Sequence, residues 1–367
     1  MATYIHQLPH WPKFTWNQEQ LTALLVDIRT RQGRVLGRME ALGFKLQAEA
    51  NLQTLTLDVL KSSEIEGEVL DSGEVRSSIA RRLGIEIAGM VPADRHTEGV
   101  VEMMLNATQE YQQRLSAERL YAWQAALFPA GTSGMHRIVT GAWRNNKKDD
   151  PMQVVSGPIG RERVHYQAPD AELLPDEMNH FINWFNEDST MDSIIKAAIA
   201  HLWFVTIHPF DDGNGRIARA IADMQLSRAD ASAQRFYSMS TQIRKERTTY
   251  YDILESTQKG SMDITAWLNW FLQCLGRALD ATGETLERVL AKARFWEQHA
   301  STILNKRQQL MLNKLLDGFE GKLNTSKWAK ITKTSQDTAL RDIQELMNKK
   351  ILAKEVGGGR STSYVIT

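Results

Sequence analysis

Apolar side chains recur at steps of three and four residues through most of the chain, which is the period of an amphipathic helix. Residues 21–28 and 36–42 show this spacing, with charged residues between the apolar ones. A further helical pattern begins at residue 52 and continues to Glu66, where Gly67 and the polar residues after it weaken the pattern. Residues 1–92 are therefore predicted to form an N-terminal helical unit.

The middle of the chain contains a nearly uninterrupted apolar run. Residues 193–206 are apolar on almost every side, which is typical of a helix buried at the centre of a domain. No run reaches the roughly 18 uncharged apolar residues that a membrane span requires, so we expect no membrane segment. Other helical patterns lie around this run, at residues 172–185, 244–257 and 265–279, with a polar connecting helix at 281–306.

The stretch from residue 131 to residue 170 departs from the helical period and is rich in glycine, proline and basic residues. Two short β-like runs, at residues 152–156 and 164–166, flank the turn sequence Gly-Pro-Ile-Gly at 157–160. Short runs on either side of a glycine- and proline-containing turn predict a β-hairpin.

Composition and charge are those of a globular protein. The 367 residues include 44 basic and 44 acidic side chains, so the whole chain has no net field to attract nucleic acid or an anionic membrane. Cys274 is the only cysteine, which excludes an internal disulfide and fits a reducing compartment. The first residues show no signal-peptide pattern. We therefore expect a soluble, cytoplasmic protein of two or three domains.

Residues 301–367 differ from the rest of the chain in charge, with 12 basic against 6 acidic side chains and a net charge of +6. Two short β-like runs at the end of this region flank the glycines at 357–359. Helical patterns precede them at residues 306–316, 325–332 and 335–349, and Thr334 and Ser335 offer an N-cap to the last of these. This order predicts a winged helix-turn-helix domain over residues 300–367, which binds either DNA or a protein.

Residues 208–219 bring together the groups that phosphate-ester chemistry needs within twelve positions. A proline after His208 prevents the preceding helix from continuing, and two glycines let backbone N–H groups approach an anion where the next helix begins. Arg216 and Arg219 lie one helical turn apart and can clamp a polyphosphate. An adjacent carboxylate suits Mg²⁺, and His208 can accept a proton from an attacking hydroxyl.

The same residues, His-Pro-Phe-Asp-Asp-Gly-Asn-Gly-Arg-Ile-Ala-Arg, match the complete signature of the Fic family, and the chain resembles that family. The resemblance implies an enzyme that transfers AMP from ATP to a protein hydroxyl with Mg²⁺ as cofactor. It implies that His208 is the general base and that Asp212 holds the metal ion. It also implies nucleotide contacts from Gly213, Asn214, Gly215, Arg216 and Arg219.

Other residues in and after the motif also have expected positions. Phe210 resembles the apolar anchor that seats the loop in the core, and Asp211, at a variable position, is expected to be a solvated loop acid. Tyr250 and Tyr251 follow in a predicted helix and resemble the family's contacts with adenine. Tyr251 is the expected adenine contact, and core packing is the alternative interpretation for both tyrosines.

A second family motif lies upstream, in the sequence Ser-Ser-Glu-Ile-Glu-Gly at 62–67. Ser62 and Glu66 are four residues apart and therefore share one face of a helix. The segment, which ends at Gly67, resembles the inhibitory motif of the family. The resemblance implies that Glu66 pairs with Arg219 and denies that arginine to the γ-phosphate of ATP. Glu64 is the competing candidate in the same helix.

The hairpin is the third feature that the resemblance explains. Family members place such a flap over the active-site cleft, where an extended segment of the target protein can pair with its edge strand. Val154, Val155 and Ser156 are the residues expected at that edge. A surface hairpin without this role is the alternative.

Together, these features predict a mainly α-helical protein with a helical Fic core over residues 93–285, a hairpin flap, an N-terminal helical extension and a C-terminal winged helix. The expected activity is transfer of AMP to a Ser, Thr or Tyr hydroxyl of a target protein or of the chain itself, inhibited by Glu66. One alternative is a transcription regulator whose winged helix binds DNA while the Fic core senses a nucleotide. Another is transfer of UMP or phosphocholine, and a homo-oligomer remains open.

Overall fold

The structure is a computed structural model that describes residues 4–87, 89–158, 160–319, 321–355 and 362–367. These residues form mainly α-helices, which confirms the predicted fold class. The helices are α1 (Gln18–Glu40), α2 (Phe44–Ile65), α3 (Ser72–Arg82), α4 (Arg95–Gln109), α5 (Ala117–Leu127), α6 (Leu174–Asn186), α7 (Ser193–Ile207), α8 (Asn214–Asp230), α9 (Met239–Lys245), α10 (Arg247–Gln258), α11 (Thr265–Gln298), α12 (Lys306–Leu316), α13 (Thr325–Thr332) and α14 (Gln336–Asn348). The strands are β1 (Thr132–Ser133), β2 (His136–Arg137), β3 (Gln153–Ser156), β4 (Arg163–Gln167), β5 (Leu352–Lys354) and β6 (Tyr364–Ile366).

The apolar helix α7 lies at the centre of the fold, as its sequence predicts. Every residue of α7 after Ser193 is buried, and the helix packs against α6, α8 and α11. The Trp267 indole of α11 donates a hydrogen bond to the carbonyl oxygen of Ala198 at 2.8 Å. Neither α7 nor any other helix in the described ranges is both long and apolar enough to cross a membrane. Because α7 ends at Ile207, the core fixes the position of the motif that follows it.

The N-terminal helices share their core with the centre of the molecule. Ile28 of α1 and Leu55 of α2 are buried in the same apolar cluster as Leu202 of α7 and Ile221 of α8. Helix α1 packs along α11, and α2 packs against α8, α9 and α11. The C-terminal end of α2 therefore lies directly beside the helix that carries the motif arginines.

The sequence analysis predicted two helices in a region where the structure has one. A single helix, α11, covers both the predicted helix at 265–279 and most of the predicted polar connector at 281–306. The second half of α11 is not merely a polar connector, because Val289 is buried in a small apolar cluster with Met39 and Phe236. This packing stabilises the continuous helix.

The helix predicted at residues 244–257 is also divided differently in the structure. Helix α9 begins at Met239, where the Ser238 side chain caps it, and α10 begins at Arg247. Glu246 between them has φ −108° and ψ 25°, outside the helical region. A single helical pattern in the sequence does not reveal this break because the apolar period continues through it.

Strands β3 and β4 form the predicted hairpin. They pair in antiparallel fashion with Val154 opposite Tyr166, and the register shifts between Val154 and Val155. The predicted turn at 157–160 includes Ile159, which lies outside the described residues. The position of the hairpin in the sequence is therefore confirmed for its two strands.

Helices α12, α13 and α14 lie where the sequence predicts helices, and they surround a second apolar cluster that includes Trp328 and Ile343. The Ser335 hydroxyl caps α14 by accepting from the backbone N–H of Thr338 at 3.2 Å. Strands β5 and β6 pair in antiparallel fashion. The glycines at 357–359 lie outside the described residues, and the winged-helix interpretation stays a prediction.

Candidate active site

A sharp turn of the chain connects α7 to α8 and carries the motif. His208 ends α7 in the left-handed conformation with φ 52°, and Pro209 cannot extend the helix. Gly213 precedes α8 with φ 90°, a conformation that favours glycine. Phe210 is fully buried, with its ring 5.0 Å from that of Trp143. This is the position expected of an apolar anchor.

A buried arginine that no sequence pattern indicated holds this turn in place. Arg144 is 2% exposed, and its guanidinium donates to the carbonyl oxygens of His208 at 2.8 Å and Pro169 at 2.6 Å. Its backbone N–H donates to the carbonyl oxygen of Pro209 at 2.9 Å. Burial lowers the pKa of Arg144 to about 10, so the side chain remains a cation at neutral pH. These donors satisfy carbonyl groups that the end of α7 leaves without helical partners.

The Asn214 side chain braces the loop. Its Oδ1 accepts from the Phe210 N–H at 3.0 Å, and its Nδ2 donates to the Phe210 carbonyl oxygen at 2.8 Å. The N–H of Ile217 bonds back to the carbonyl oxygen of Gly213 at 3.0 Å and begins the hydrogen-bond ladder of α8. The N–H groups of residues 214–216 precede this ladder and are those that a helix start offers to an anion.

The His208 imidazole is arranged as a neutral base. Its Nδ1 lies 3.2 Å from the carbonyl oxygen of Val205, and because a carbonyl can only accept, Nδ1 carries the proton. Nε2 then has a free lone pair. Burial, only partly offset by the Val205 carbonyl, lowers the pKa of His208 to about 4. The ring is therefore neutral at neutral pH and able to accept a proton.

The two acidic residues of the motif have different surroundings. The Asp211 carboxylate accepts from the backbone N–H of Val139 at 2.8 Å and the residue is half-exposed, so the expectation of a solvated loop acid stays a prediction. The Asp212 carboxylate accepts from the N–H of Gly213 at 2.6 Å and from the hydroxyl of Ser133 in β1. The sequence analysis did not predict the small β1–β2 hairpin because strands of two residues show no period.

The surroundings of Asp212 allow a metal ion that takes few protein ligands. The described residues contain no group of three or more His, Cys, Asp or Glu side chains that could hold a metal ion. Mg²⁺ nevertheless binds through one or two carboxylates when phosphate oxygens and water complete its shell. The half-exposed Asp212 carboxylate, beside the Ser133 hydroxyl, fits such a site.

Arg219 contacts both residues of the upstream motif. The guanidinium is 2% exposed and donates to a Glu66 carboxylate oxygen at 2.8 Å. It also donates to the Ser62 hydroxyl at 3.0 Å and to the Ser62 carbonyl oxygen at 2.9 Å. Burial opposes the charge of Arg219, but the Glu66 carboxylate outweighs it and raises the pKa of the guanidinium. The pairing expected between Glu66 and Arg219 is thus present in the structure.

The Glu66 carboxylate lies over the start of α8. A Cβ atom built on Gly215 would stand 2.3 Å from Glu66 Oε1, so only glycine permits this approach. Gly67, with φ 88°, turns the chain away from α2 directly after Glu66. The competing candidate, Glu64, pairs instead with Lys61 at 2.6 Å.

A second carboxylate, which the sequence analysis missed, pairs with the other motif arginine. Arg216 is 1% exposed and donates to Glu68 Oε2 at 2.6 Å. His96 Nε2 lies 3.2 Å from the same oxygen, and His96 Nδ1 lies 3.1 Å from the Leu127 carbonyl oxygen. The bond to Glu68, opposed by partial burial, raises the pKa of His96. Only the position of Glu68, two residues after Glu66, could have pointed to it.

Arg216 and Arg219 each keep one buried nitrogen that donates no hydrogen bond to the described residues. Among the described residues, no acceptor lies within hydrogen-bonding distance of Arg216 Nε or Arg219 Nη1. A buried donor without an acceptor costs about 1–3 kcal/mol. The Arg219 Nη1 atom lies beside Gly215, 3.3 Å from the position of a Cβ there. An anion at the start of α8 would meet this donor.

One cavity of about 570 Å³ brings seven of the predicted site residues together. Its wall includes His208 and Gly215 of the motif, Glu66 of the upstream motif, Tyr251 of α10 and the flap residues Val154, Val155 and Ser156. Pockets of roughly 300–1,000 Å³ are typical of small-ligand sites.

The two tyrosines of α10 are distinguished by their surroundings. The Tyr250 hydroxyl is buried and lies 2.9 Å from Nε2 of His201, so this residue belongs to the core. Tyr251 is 37% exposed and its hydroxyl lies 3.5 Å from Glu66 Oε2. Both tyrosines border the cavity, but only Tyr251 is partly exposed, and its contact with adenine stays a prediction.

Two family models match separate parts of the chain. Residues 4–85 match a family described as a domain of unknown function, DUF4172, and residues 114–226 match the Fic/DOC family. The second match contains the whole motif from His208 to Arg219, and the first contains Ser62 and Glu66.

Named relatives match parts of the chain at modest identity. The protein adenylyltransferase Fic of Aedes aegypti is 32% identical over 136 residues, which are 36% of this chain and 25% of that protein. The protein adenylyltransferase Fic of Drosophila mojavensis is 25% identical over 227 residues, 60% of this chain and 40% of that protein. This chain therefore spans less than half the length of either relative.

A solved structure shares the fold along nearly the whole chain. The crystal structure of a Fic family protein from Desulfovibrio desulfuricans G20 aligns over 98% of both chains with a TM-score of 0.52 and 19% identity. At this identity the likeness concerns the fold.

Proposed function

Residues 114–226 form a Fic/DOC family domain, and from this premise we propose that the chain is a protein adenylyltransferase. It transfers AMP from ATP to a Ser, Thr or Tyr hydroxyl of a target protein or of the chain itself. The observation that carries the proposal is the placement of a neutral His208 on the same cavity as Gly215 at the start of α8. A base and an anion-binding helix start are the two parts that such a transfer needs.

The reaction follows from the atoms that border the cavity. The target hydroxyl gives its proton to His208 Nε2 as its oxygen forms a bond to the α-phosphorus. The bond from that phosphorus to the bridging oxygen of the β-phosphate breaks, and pyrophosphate leaves. The N–H groups of residues 214–216 and the guanidinium groups of Arg216 and Arg219 stabilise the charge on the phosphate oxygens.

Magnesium belongs to the proposal through Asp212. The Asp212 carboxylate would hold the ion, and Ser133 keeps that carboxylate oriented through its hydroxyl. When bound, Mg²⁺ neutralises charge on the phosphates. Asp211, whose carboxylate accepts from the N–H of Val139, is the next candidate for this role.

Glu66 inhibits the enzyme in this proposal. Its carboxylate occupies the Arg219 guanidinium at 2.8 Å and lies over Gly215, where the nucleotide phosphates would bind. A γ-phosphate cannot take the same donor while Glu66 holds it. ATP then binds without the alignment that in-line attack on the α-phosphorus requires.

Glu68 adds a second block of the same kind. Its carboxylate holds Arg216 at 2.6 Å, and His96 supports it from the other side. The two carboxylates together neutralise both motif arginines before nucleotide arrives. Productive binding therefore requires Glu66 and Glu68 to leave their arginines.

The target protein docks on the flap in this proposal. Val154, Val155 and Ser156 border the cavity, and β3 pairs with β4 on one side only among the described strands. An extended target segment can therefore add to the other side of β3 by main-chain hydrogen bonds. Tyr251 is placed to contact the adenine ring.

The reaction is tested by offering the purified chain each nucleoside triphosphate with Mg²⁺ and reading mass increments on the chain and on added lysate proteins. Glu66→Gly serves as the active form and His208→Ala in that background as the matched control. We expect an AMP increment with ATP in Glu66→Gly and none in the control. A UMP increment from UTP, without AMP transfer, would replace ATP as the substrate. No increment from any donor would contradict the proposed enzyme class.

A further inference from the structure

The flap is attached at a buried point beside the loop that carries His208. Tyr166 of β4 is buried, and its hydroxyl donates to the Thr206 carbonyl oxygen at 2.7 Å. Thr206 lies in the last turn of α7, two residues before His208. His6 Nδ1 lies 2.9 Å from the same hydroxyl, whose single proton is already given to Thr206, so the His6 ring donates to it. The inner end of the flap is therefore fixed next to the proposed base.

A carboxylate of α10 holds the flap at a second point, nearer to its turn. Glu255 Oε1 accepts from Arg163 Nη2 at 3.0 Å, and Glu255 Oε2 lies 2.6 Å from His165 Nδ1. Because an ionised carboxylate only accepts, His165 Nδ1 carries the proton of this bond. Arg163 and His165 both belong to β4, so two side chains of one strand meet one carboxylate of the helix.

The Glu255 carboxylate is charged at neutral pH. Burial opposes its charge, but bonds from Lys259, His165 and Arg163 outweigh that effect and lower the pKa of Glu255 to about 2. The Arg163 side chain is 70% exposed, so water screens its contact with Glu255. The side chains of His165 and Glu255 are 25% and 17% exposed, which makes their bond the less screened of the two. The hold on the flap therefore runs mainly through His165.

His165 passes this hold on to the strand proposed for target docking. The residue falls between Val164 and Tyr166, which pair with Val155 and Val154 of β3, at the point where the register shifts. A bulge of this kind turns a side chain into a new direction. His165 Nε2 lies 2.5 Å from the Ser156 hydroxyl of β3. A continuous series of hydrogen bonds thus joins α10 to β4 and β4 to β3.

We propose that Glu255 is a positioning residue for the target protein, because it holds the docking strand β3 in place relative to His208. The inference rests on the proposed adenylyltransferase function and names a residue that supports its target binding. Glu255, His165 and Ser156 border the same cavity as His208. Glu255 acts through the flap and touches neither the nucleotide nor the reacting hydroxyl.

A fixed docking strand matters for the reaction because an added strand takes its position from the strand with which it pairs. If β3 is held before the target arrives, less ordering is needed on binding. A displacement of about 1 Å in a reacting group can cost roughly 10²-fold in rate. Loss of Glu255 should therefore weaken target binding, while the phosphates still bind at the start of α8.

The first test measures AMP transfer in the Glu66→Gly background as a function of lysate protein concentration. Glu255→Gln keeps the size of the side chain but loses its charge and one acceptor oxygen. We expect the lysate concentration at half-maximal transfer to rise about tenfold, as loss of one charge-assisted contact implies. The Kd for ATP with Mg²⁺ should stay the same. Glu255→Asp, which keeps the charge, should restore part of the loss, and the exposed Glu287→Gln of α11 should change neither quantity.

The second test measures amide hydrogen exchange of the full chain without nucleotide or acceptor. Glu255→Gln should speed exchange in β3 and β4 by about tenfold and leave α7 and α8 unchanged, since only a local contact is lost. His165→Gln should have the same effect, and the double variant should add nothing to either single variant.

Two results would overturn the positioning role alone. One is transfer by Glu255→Gln with an unchanged half-maximal lysate concentration. The other is faster exchange in α7 and α8 as well, together with weaker ATP binding, which would show a general loss of stability. No AMP transfer by Glu66→Gly itself would overturn the proposed function and the positioning role with it.

Discussion

The protonation state of His208 is decided by burial and by the hydrogen bond of its ring to the Val205 carbonyl oxygen. The Val205 carbonyl takes the Nδ1 proton, and the buried position lowers the pKa of the ring to about 4. Arg144 holds the backbone on which the ring stands, through its bond to the His208 carbonyl oxygen at 2.8 Å. The His208 ring is therefore neutral over the whole physiological pH range.

This pKa predicts the pH dependence of transfer. At a pH below its pKa, a histidine is protonated and cannot accept a further proton. The rate of transfer should therefore fall only as the pH is lowered toward 4. Between about pH 6 and pH 8 the contribution of His208 to kcat/KM should be constant. The measurement is AMP transfer by Glu66→Gly as a function of pH. A midpoint near the ordinary histidine value of about 6.5 would contradict the assigned environment of His208.

The bond between Glu68 and Arg216 predicts a second activating substitution. Glu68→Gln removes the charge but keeps the shape, so Arg216 should become available to phosphate. A charge-assisted contact contributes roughly 1.5–3 kcal/mol, so nucleotide affinity should rise by about ten- to a hundredfold if this contact alone opposes binding. Titration with ATP and Mg²⁺ measures the effect, with the exposed Glu86→Gln as control. Unchanged affinity would mean that Glu68 does not compete with phosphate.

The residues that could be predicted from the sequence are those whose partners are close in sequence or named by a motif. The run 208–219 is contiguous, and the family motif supplied the pairing of Glu66 with Arg219. Arg144 and Glu68 lie 64 and 148 residues from the groups they bind, and no spacing rule connects such distances. Only the folded chain reveals these contacts.

At the level of elements, α2 acts on α8 through the end of one helix and the beginning of the other. Ser62 is one turn before Glu66, and both meet Arg219, so the last turn of α2 is docked by three hydrogen bonds to one guanidinium. The fold makes this contact because α2 packs in the common core rather than as an appendage. The contact between Glu66 and Arg219 therefore depends on the packing of a whole helix.

This arrangement predicts how substitutions at the contact combine. Arg219→Ala removes the partner of Glu66 but also removes a phosphate ligand, so it should lower transfer rather than raise it. The double variant Glu66→Gly/Arg219→Ala should match Arg219→Ala alone, since Glu66 has nothing left to block. Initial rates of AMP transfer by the four proteins of this cycle test the prediction. A double variant as active as Glu66→Gly would show that Arg219 does not bind the nucleotide.

Helix patterns predicted the elements better than their boundaries. The apolar run at 193–206 was correctly predicted as the helix α7, because a helix that is buried on all sides has apolar residues at nearly every position. Helix α11 was divided in the prediction because its second half turns polar, although Val289 keeps it packed against Phe236. The polar composition of the second half of α11 shows that most of its side chains face solvent. It does not show where the helix ends, because a few packed residues such as Val289 decide that.

Over the whole molecule, charged side chains connect the C-terminal helices with α2. Lys292 of α11 donates to Glu49 of α2 at 3.0 Å and to Asp317, which follows α12, at 2.7 Å. In α14, Asp342 is nearly buried and is paired with Arg307 at 2.7 Å, so it is neutralised within the unit. Asp342 therefore presents no unpaired carboxylate on α14, and the net charge of residues 301–367 stays +6.

The interpretation of residues 300–367 as a DNA-binding winged helix predicts a salt-dependent interaction. Neutralising phosphates with Lys and Arg releases counterions, so the affinity of the full chain for a DNA duplex should fall steeply as salt is raised. Titration with labelled duplex at several salt concentrations measures this. Absence of binding at low salt would leave a protein as the expected partner of this unit.

The inhibited transferase is tested most directly by comparing AMP transfer by the wild-type chain, by Glu66→Gly and by Glu66→Gly/His208→Ala under the same ATP and Mg²⁺ conditions. Removing the Glu66 carboxylate frees Arg219 for the γ-phosphate, so Glu66→Gly should raise the rate by about ten- to a hundredfold. Removing the base as well should lower the rate by roughly 10²–10⁴ from that level. A folded Glu66→Gly protein with an unchanged or reduced rate would contradict inhibition by Glu66. A double variant as active as Glu66→Gly would contradict His208 as the base.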